Sequence, residues 1–137
     1  LVSPWMDFNY TSYYEPEMGS NLVRRMFAFK RPIEQGELAA VKIATNQIEQ
    51  AYSSGGRREA NIDPGYMVPE RFVLASGKNF SHRIYIGLGI YADLTSIYQK
   101  GSFQKLPWTY PDYADQTMLN FLDQVRRKYV FDIRQTG

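Results

Sequence analysis

Residues 81–95 read SHRIYIGLGIYADLT, and they constrain the chain more than any other stretch. Two hairpin registers can be drawn for them. With Leu88-Gly89 as a two-residue turn, Ile84 opposes Asp93 and Arg83 opposes Leu94, so each face mixes charge with aliphatics. With Gly87-Leu88-Gly89 as a three-residue loop, Ile86 pairs with Ile90, Ile84 with Ala92 and His82 with Leu94. The other face then pairs Tyr85 with Tyr91 and Arg83 with Asp93. The second register separates an apolar from a polar face, and Gly89 suits the left-handed position of such loops. A slip of one residue exchanges the faces, so the sorted register is expected. An opposite-charge cross-strand pair contributes about 0.2–1 kcal/mol and needs no ligand to explain it.

The chain contains no cysteine and one histidine, His82. Disulfides, thiolate nucleophiles, Cys-based zinc or iron–sulfur sites and multi-histidine metal sites within one chain are therefore excluded. Carboxylate coordination of magnesium stays open. The net charge of +2 is too small for bulk attraction to nucleic acid, which is therefore not an expected partner. No apolar run approaches the roughly 20 residues of a membrane span, and no signal-peptide pattern is present. No membrane partner and a cytoplasmic location are expected. Eleven tyrosines suggest rings half buried at a groove or interface. The chain opens at Leu1, without methionine and inside an aromatic, loop-like stretch, so residues upstream of it are expected to be missing.

The rest of the chain reads as one domain over residues 1–137. Residues 21–29 alternate as a strand, with Val23, Arg25, Phe27 and Phe29 on one face. Residues 37–52 form an amphipathic helix through Leu38, Val41, Thr45, Ile48 and Tyr52. The run REANID (59–63 with Arg58) reads as a short strand ending in a type II turn, Asp63-Pro64-Gly65-Tyr66. RFVLAS (71–76) is β-prone. Pro107, Trp108 and Tyr110-Pro111-Asp112-Tyr113 form a rigid aromatic connection. A last helix spans 115–129, with Met118, Phe121, Leu122, Val125 and Tyr129 on one stripe. Its basic end, Arg126-Arg127-Lys128, suits the helix dipole. The expected class is α+β: a largely antiparallel sheet with helices packed mainly on one face.

YYEPEMG (13–19), LVRRMFAF, IATNQIE (43–49), NIDPGYM (61–67), FVLASGKNFSHRIYIGLGIYADLT (72–95) and LPWTYPDY (106–113) occur together and in order. With them the chain resembles, over nearly its whole length, a bacterial family known only as a domain of unknown function. The resemblance implies an additional N-terminal strand and helix. Some relatives carry a loose GTP-binding label, but the residues offer no P-loop: Gly77-Lys78 is followed by Asn79, and Phe72 stands where its first glycine belongs. Gly87-Leu88-Gly89 opens no helix and is no dinucleotide fingerprint.

Three functions fit these residues. The first is an enzyme or binder of a small phosphate-bearing, nucleotide-like or otherwise anionic ligand. Lys78, His82 and Arg83 would meet the anion, with His82 and Asp63 as catalytic candidates. Asn61 would position, and Tyr66, Tyr91 and Trp108 would stack on a ring. Glu15 and Glu17 could add magnesium ligands, although a solvated turn is the better explanation of them. The second is a non-catalytic interaction module that pairs with a partner or a second copy through an exposed sheet edge. The third is single-stranded RNA binding through aromatics among Arg57, Arg58, Lys78 and Arg83. No Gly-x-Ser-x-Gly elbow supports a serine hydrolase.

Overall fold

The computed structural model describes residues 1–9, 14–19 and 21–136; Tyr10 to Tyr13 and Ser20 of the aromatic opening lie outside the described residues. In chain order the elements are β1 (Met6–Asp7), α1 (Glu15–Met18), β2 (Val23–Arg24), α2 (Leu38–Ala51), β3 (Gly65–Val68), β4 (Arg71–Ser76), β5 (Arg83–Gly87), β6 (Ile90–Gln99), β7 (Ser102–Lys105) and α3 (Gln116–Thr136). Short 3-10 turns precede α2 and α3. The class is α+β, with two antiparallel sheets.

The main sheet runs β3-β4-β6-β5, and β7 also pairs with β6. β4 is RFVLAS, and its four middle residues are all buried because both faces are covered. Phe72 and Leu74 point one way, into a cluster with Phe103, Tyr113, Met118 and Leu122. Val73 and Ala75 point the other way, against Leu38, Ala39 and Ile90. Successive strand side chains alternate between faces, so α2 covers one face and α3 the other. The two helices are thus divided between the faces rather than gathered on one.

β5 and β7 lie beside different parts of β6: Arg83 pairs with Asp93, whereas Ser96 pairs with Lys105. Between those registers, the carbonyls of Leu94 and Thr95 accept hydrogen bonds from Trp108 Nε1 (2.7 Å) and Thr109 Oγ1 (2.6 Å). The aromatic connection therefore satisfies backbone groups that no strand reaches.

Several expectations change. The hairpin keeps Arg83 opposite Asp93, Ile84 opposite Ala92 and Tyr85 opposite Tyr91, but Gly87, not Ile86, pairs with Ile90. Leu88 and Gly89 form a two-residue turn at φ 57° and 77°, and a bulge between Tyr85 and Gly87 absorbs the extra residue. His82 precedes the strand, is freed from its alternation, and turns toward Asp93 instead of sharing a side with Leu94. REANID forms no strand. Asp63-Pro64-Gly65-Tyr66 is no turn either, because β3 has begun at Gly65 and Pro64 O already accepts from Ala75 N (2.9 Å). Glycine is needed at 65 because a Cβ there would lie 2.4 Å from the carbonyl oxygen of Val73.

In α2, Leu38 is fully buried, but Ile48 and Tyr52 are exposed and Glu49 is buried in their place. The last turns of α2 meet a charged partner, Arg58, rather than the core. The stripe of α3 through Met118, Phe121 and Leu122 is buried as expected. The helix, however, continues to Thr136, so Arg126-Arg127-Lys128 is mid-helix and not a basic end. Arg126 lies over the Tyr98 ring at 3.4 Å and donates to Pro69 O. Arg127 and Lys128 pair with Asp123 and Asp132 one turn away.

Along residues 21–29 exposure does alternate, but Val23, Phe27 and Phe29 face outward while Arg24 and Met26 face in. An inward arginine has to be paired or hydrogen-bonded.

Candidate functional site

Arg24 is the centre of the first polar cluster. Its guanidinium is bonded to Asp112 through one terminal nitrogen and to Asp63 Oδ2 through the other (3.0 Å). The planar fork suits two carboxylates at once. It also lies over two rings, with centres 4.7 Å (Phe8) and 4.9 Å (Tyr113) away. Tyr113 donates its hydroxyl to Asp63 Oδ2 (3.3 Å), and Asn61 donates to Asp63 Oδ1 (3.1 Å). Burial, and next the charge of Asp63, push the Tyr113 phenol well above its ordinary value, so it stays a donor.

The network continues through Arg58. It donates to Asn61 Oδ1 (3.0 Å), reaches buried Glu49 (3.4 Å), and grips Glu17 with Nε and Nη2 (2.8 and 3.0 Å). The side-chain hydrogen bonds from Arg58, then the one from its backbone N–H, hold the Glu17 carboxyl at about 2. The same contact raises the Arg58 guanidinium further. Glu17 is therefore an arginine partner.

Beside Arg24, a cleft of about 380 Å³ opens between the β1–β2 ribbon and the first turn of α3. Its walls include Trp5, Asp7, Phe8, Arg24, Asp112 and Asp115. Among the described residues no group of three or more His, Asp or Glu could hold a metal ion.

The second cluster surrounds Asp93 at the entry to β5. Arg83 Nε donates to Asp93 Oδ2 (2.9 Å) and Nη1 to the Lys78 carbonyl (3.1 Å). His82 Nε2 lies 3.3 Å from the same carboxylate oxygen. The imidazole stacks on Trp108, with centres 5.0 Å apart at 15°, and meets the Phe80 ring edge-on. His82 Nδ1 is buried with no hydrogen-bond partner among the described residues.

The sequence-selected residues thus divide. Asn61 and Asp63 meet in the first cluster. Lys78, His82, Arg83 and Trp108 meet in the second, with Tyr91 edge-on to Tyr85 two pairs further along β5. Tyr66 lies on the α2 face among core residues. Asp63 precedes β3 and His82 precedes β5, at opposite edges of the β3-β4-β6-β5 order. LPWTYPDY links the two, because Trp108 stacks on His82 while Tyr113 bonds Asp63.

Sequence reasoning missed Arg24, Asp112 and Tyr113 as site residues. Tyr110-Pro111-Asp112-Tyr113 reads as a connector, yet its aspartate and second tyrosine are buried. The signal that could have found Arg24 was its place opposite Arg25 in the strand alternation: one of two adjacent arginines had to face in.

Fold and site define an α+β protein with two polar clusters on one sheet face, joined by a single aromatic segment. The chain belongs to the family described as a domain of unknown function (DUF4416), whose model matches residues 1–129. No curated protein and no solved structure matches the chain. No helix among the described residues is long and apolar enough to cross a membrane.

Proposed function

We propose that the chain binds a small ring-bearing ligand with hydroxyl or amine donors in the cleft beside Arg24. The observation that carries this reading is the cleft's chemistry. Trp5 and Phe8 bring rings to its wall, one face of each already under Arg25 or Arg24, and the carboxylates of Asp7, Asp112 and Asp115 outnumber the one guanidinium that lines it. That guanidinium is already engaged by Asp63 and Asp112. Excess acceptors and offset positive charge favour a donor-rich, uncharged or cationic ligand over a phosphate. A phosphate-bearing ligand at Lys78, His82 and Arg83 has less support, since Asp93 draws both His82 and Arg83.

The test compares adenosine with ATP, and glucose and spermidine with inorganic phosphate. Thermal shift is one readout; Trp5 fluorescence in a Trp108→Phe background is the other. Adenosine, glucose or spermidine should raise the midpoint, and Asp7→Asn should weaken that response without lowering the midpoint of the free protein. ATP or phosphate binding more strongly than the uncharged probes overturns the reading, as does no response to any of the five.

A further inference from the structure

We infer that β5 is a homodimerisation strand, and that two copies of this chain pair antiparallel along it about a twofold axis at Tyr85. The inference concerns the far edge of the sheet and does not depend on the cleft.

Among the described residues β5 pairs only with β6, so its other side carries unpaired backbone groups. Open edges in monomeric proteins are usually defended by lysine, proline, a bulge, an inward charge or a covering loop. β5 is RIYIG, with Ile84, Tyr85 and Ile86 all exposed, and Leu88 and Phe80 exposed beside it. Its one charge, Arg83, is held by Asp93 of the same chain. The strand has no lysine or proline; the edge devices it does carry are the bulge between Tyr85 and Gly87 and the inward-turned Arg83, and an added strand has to accommodate both.

The strand also fits itself. Ile84-Tyr85-Ile86 reads the same in both directions, which an isologous contact requires: residue i meets j, and j meets i. Centring the antiparallel pair on Tyr85 overlaps all five residues. Ile84 then faces Ile86 of the other copy, Tyr85 faces Tyr85, and Arg83 faces Gly87, where there is no side chain to obstruct it. A parallel arrangement would set Arg83 beside Arg83, which like charge disfavours. The antiparallel pair uses up both β5 edges and closes, giving one continuous sheet through two chains.

Charge exchange at the axis tests the arrangement. Tyr85→Lys alone and Tyr85→Glu alone each put like charges opposite each other. Each should weaken dimerisation by about tenfold or more in sedimentation, and an equimolar mixture of the two should restore it. Circular dichroism and the unfolding midpoint of the dilute variants report whether the fold survives. Should either variant unfold, the absence of native cysteine permits a second route. A disulfide needs Cα atoms about 4.4–6.8 Å apart. Ile84→Cys mixed with Ile86→Cys should therefore cross-link on mild oxidation faster than either variant alone. A wild type that sediments as a monomer at its highest soluble concentration overturns the inference. So does a dimer that survives Tyr85→Lys intact, or one whose cysteine pairs ignore this register.

Discussion

The two polar clusters use similar side chains in different ways. Arg83 and Asp93 are ten residues apart, and one hairpin brings them together. Arg24 reaches Asp63 and Asp112, which are 39 and 88 residues away. The first pair is a property of a strand register. The second holds a ribbon, the entry to β3 and the turn before α3 against one another, and lines a cleft as it does so. A local pair can be lost while its strand stays; a long-range clamp cannot be lost without loosening the segments it joins.

The sharpest way to break this comparison is Arg24→Met. It leaves Asp112, which is 7% exposed, without its guanidinium. Removing one partner of a buried pair costs about 3–5 kcal/mol. Urea unfolding should show a loss near the lower end, because Asp63 is more exposed. Adding Asp112→Asn should recover part of it, since the stranded charge is then gone. A loss smaller than that of Arg83→Ala would reverse the ranking of the two clusters.

Arg83→Ala comes next. It removes a charge-assisted hydrogen bond and leaves Asp93 with His82 alone, for about 1–3 kcal/mol. The hairpin should persist, so hydrogen exchange should rise at β5 amides and stay unchanged in β3 and α3. Exchange that rises across the whole sheet would show that the local pair supports more than its strand.

Tyr113→Phe is expected to cost about 1 kcal/mol, because it deletes one long hydrogen bond to Asp63 and keeps the ring that packs on Phe72 and Arg24. An unchanged urea midpoint would mean that the ring, not the hydroxyl, is what Arg24 uses.

The smallest effect belongs to the exposed end of the network. The Glu17 carboxyl is held at about 2 against an ordinary 4.5. A depressed carboxyl contributes stability that is fully present above pH 4.5 and is lost as pH falls from there toward 2. Acid titration of wild type against Glu17→Gln should therefore show a gap that closes across that window. A gap that persists at pH 2 would assign the effect to packing instead of charge.

Legibility in the sequence followed the same division. The pairing of Arg83 with Asp93, the run RFVLAS and the Met118-Phe121-Leu122 stripe could be read because period and register are local properties. Period alone does not say what a face meets. The spacing through Leu38, Ile48 and Tyr52 is helical, yet only Leu38 of these three is buried, because the end of α2 lies against Arg58 and not against the sheet. The loop of the hairpin was also misread, since a bulge and a two-residue turn consume the same number of residues as a three-residue loop.

What the sequence determined by itself was therefore the α+β class, the exclusion of thiol and multi-histidine chemistry, the core of β4 and α3, and the partner of Arg83. All of these rest on residue type or on short repeats along the chain. Tertiary structure alone decided that Arg24 faces inward and Arg25 outward, that Asp63 leads into a strand instead of turning, that His82 lies beside Asp93, and that the helices divide between the two faces. Each of those outcomes depends on which distant segment arrives as a neighbour. A buried charge or an unpaired carbonyl is satisfied by whatever group the folded chain brings within about 3 Å, and residue spacing along the sequence carries no record of that arrival.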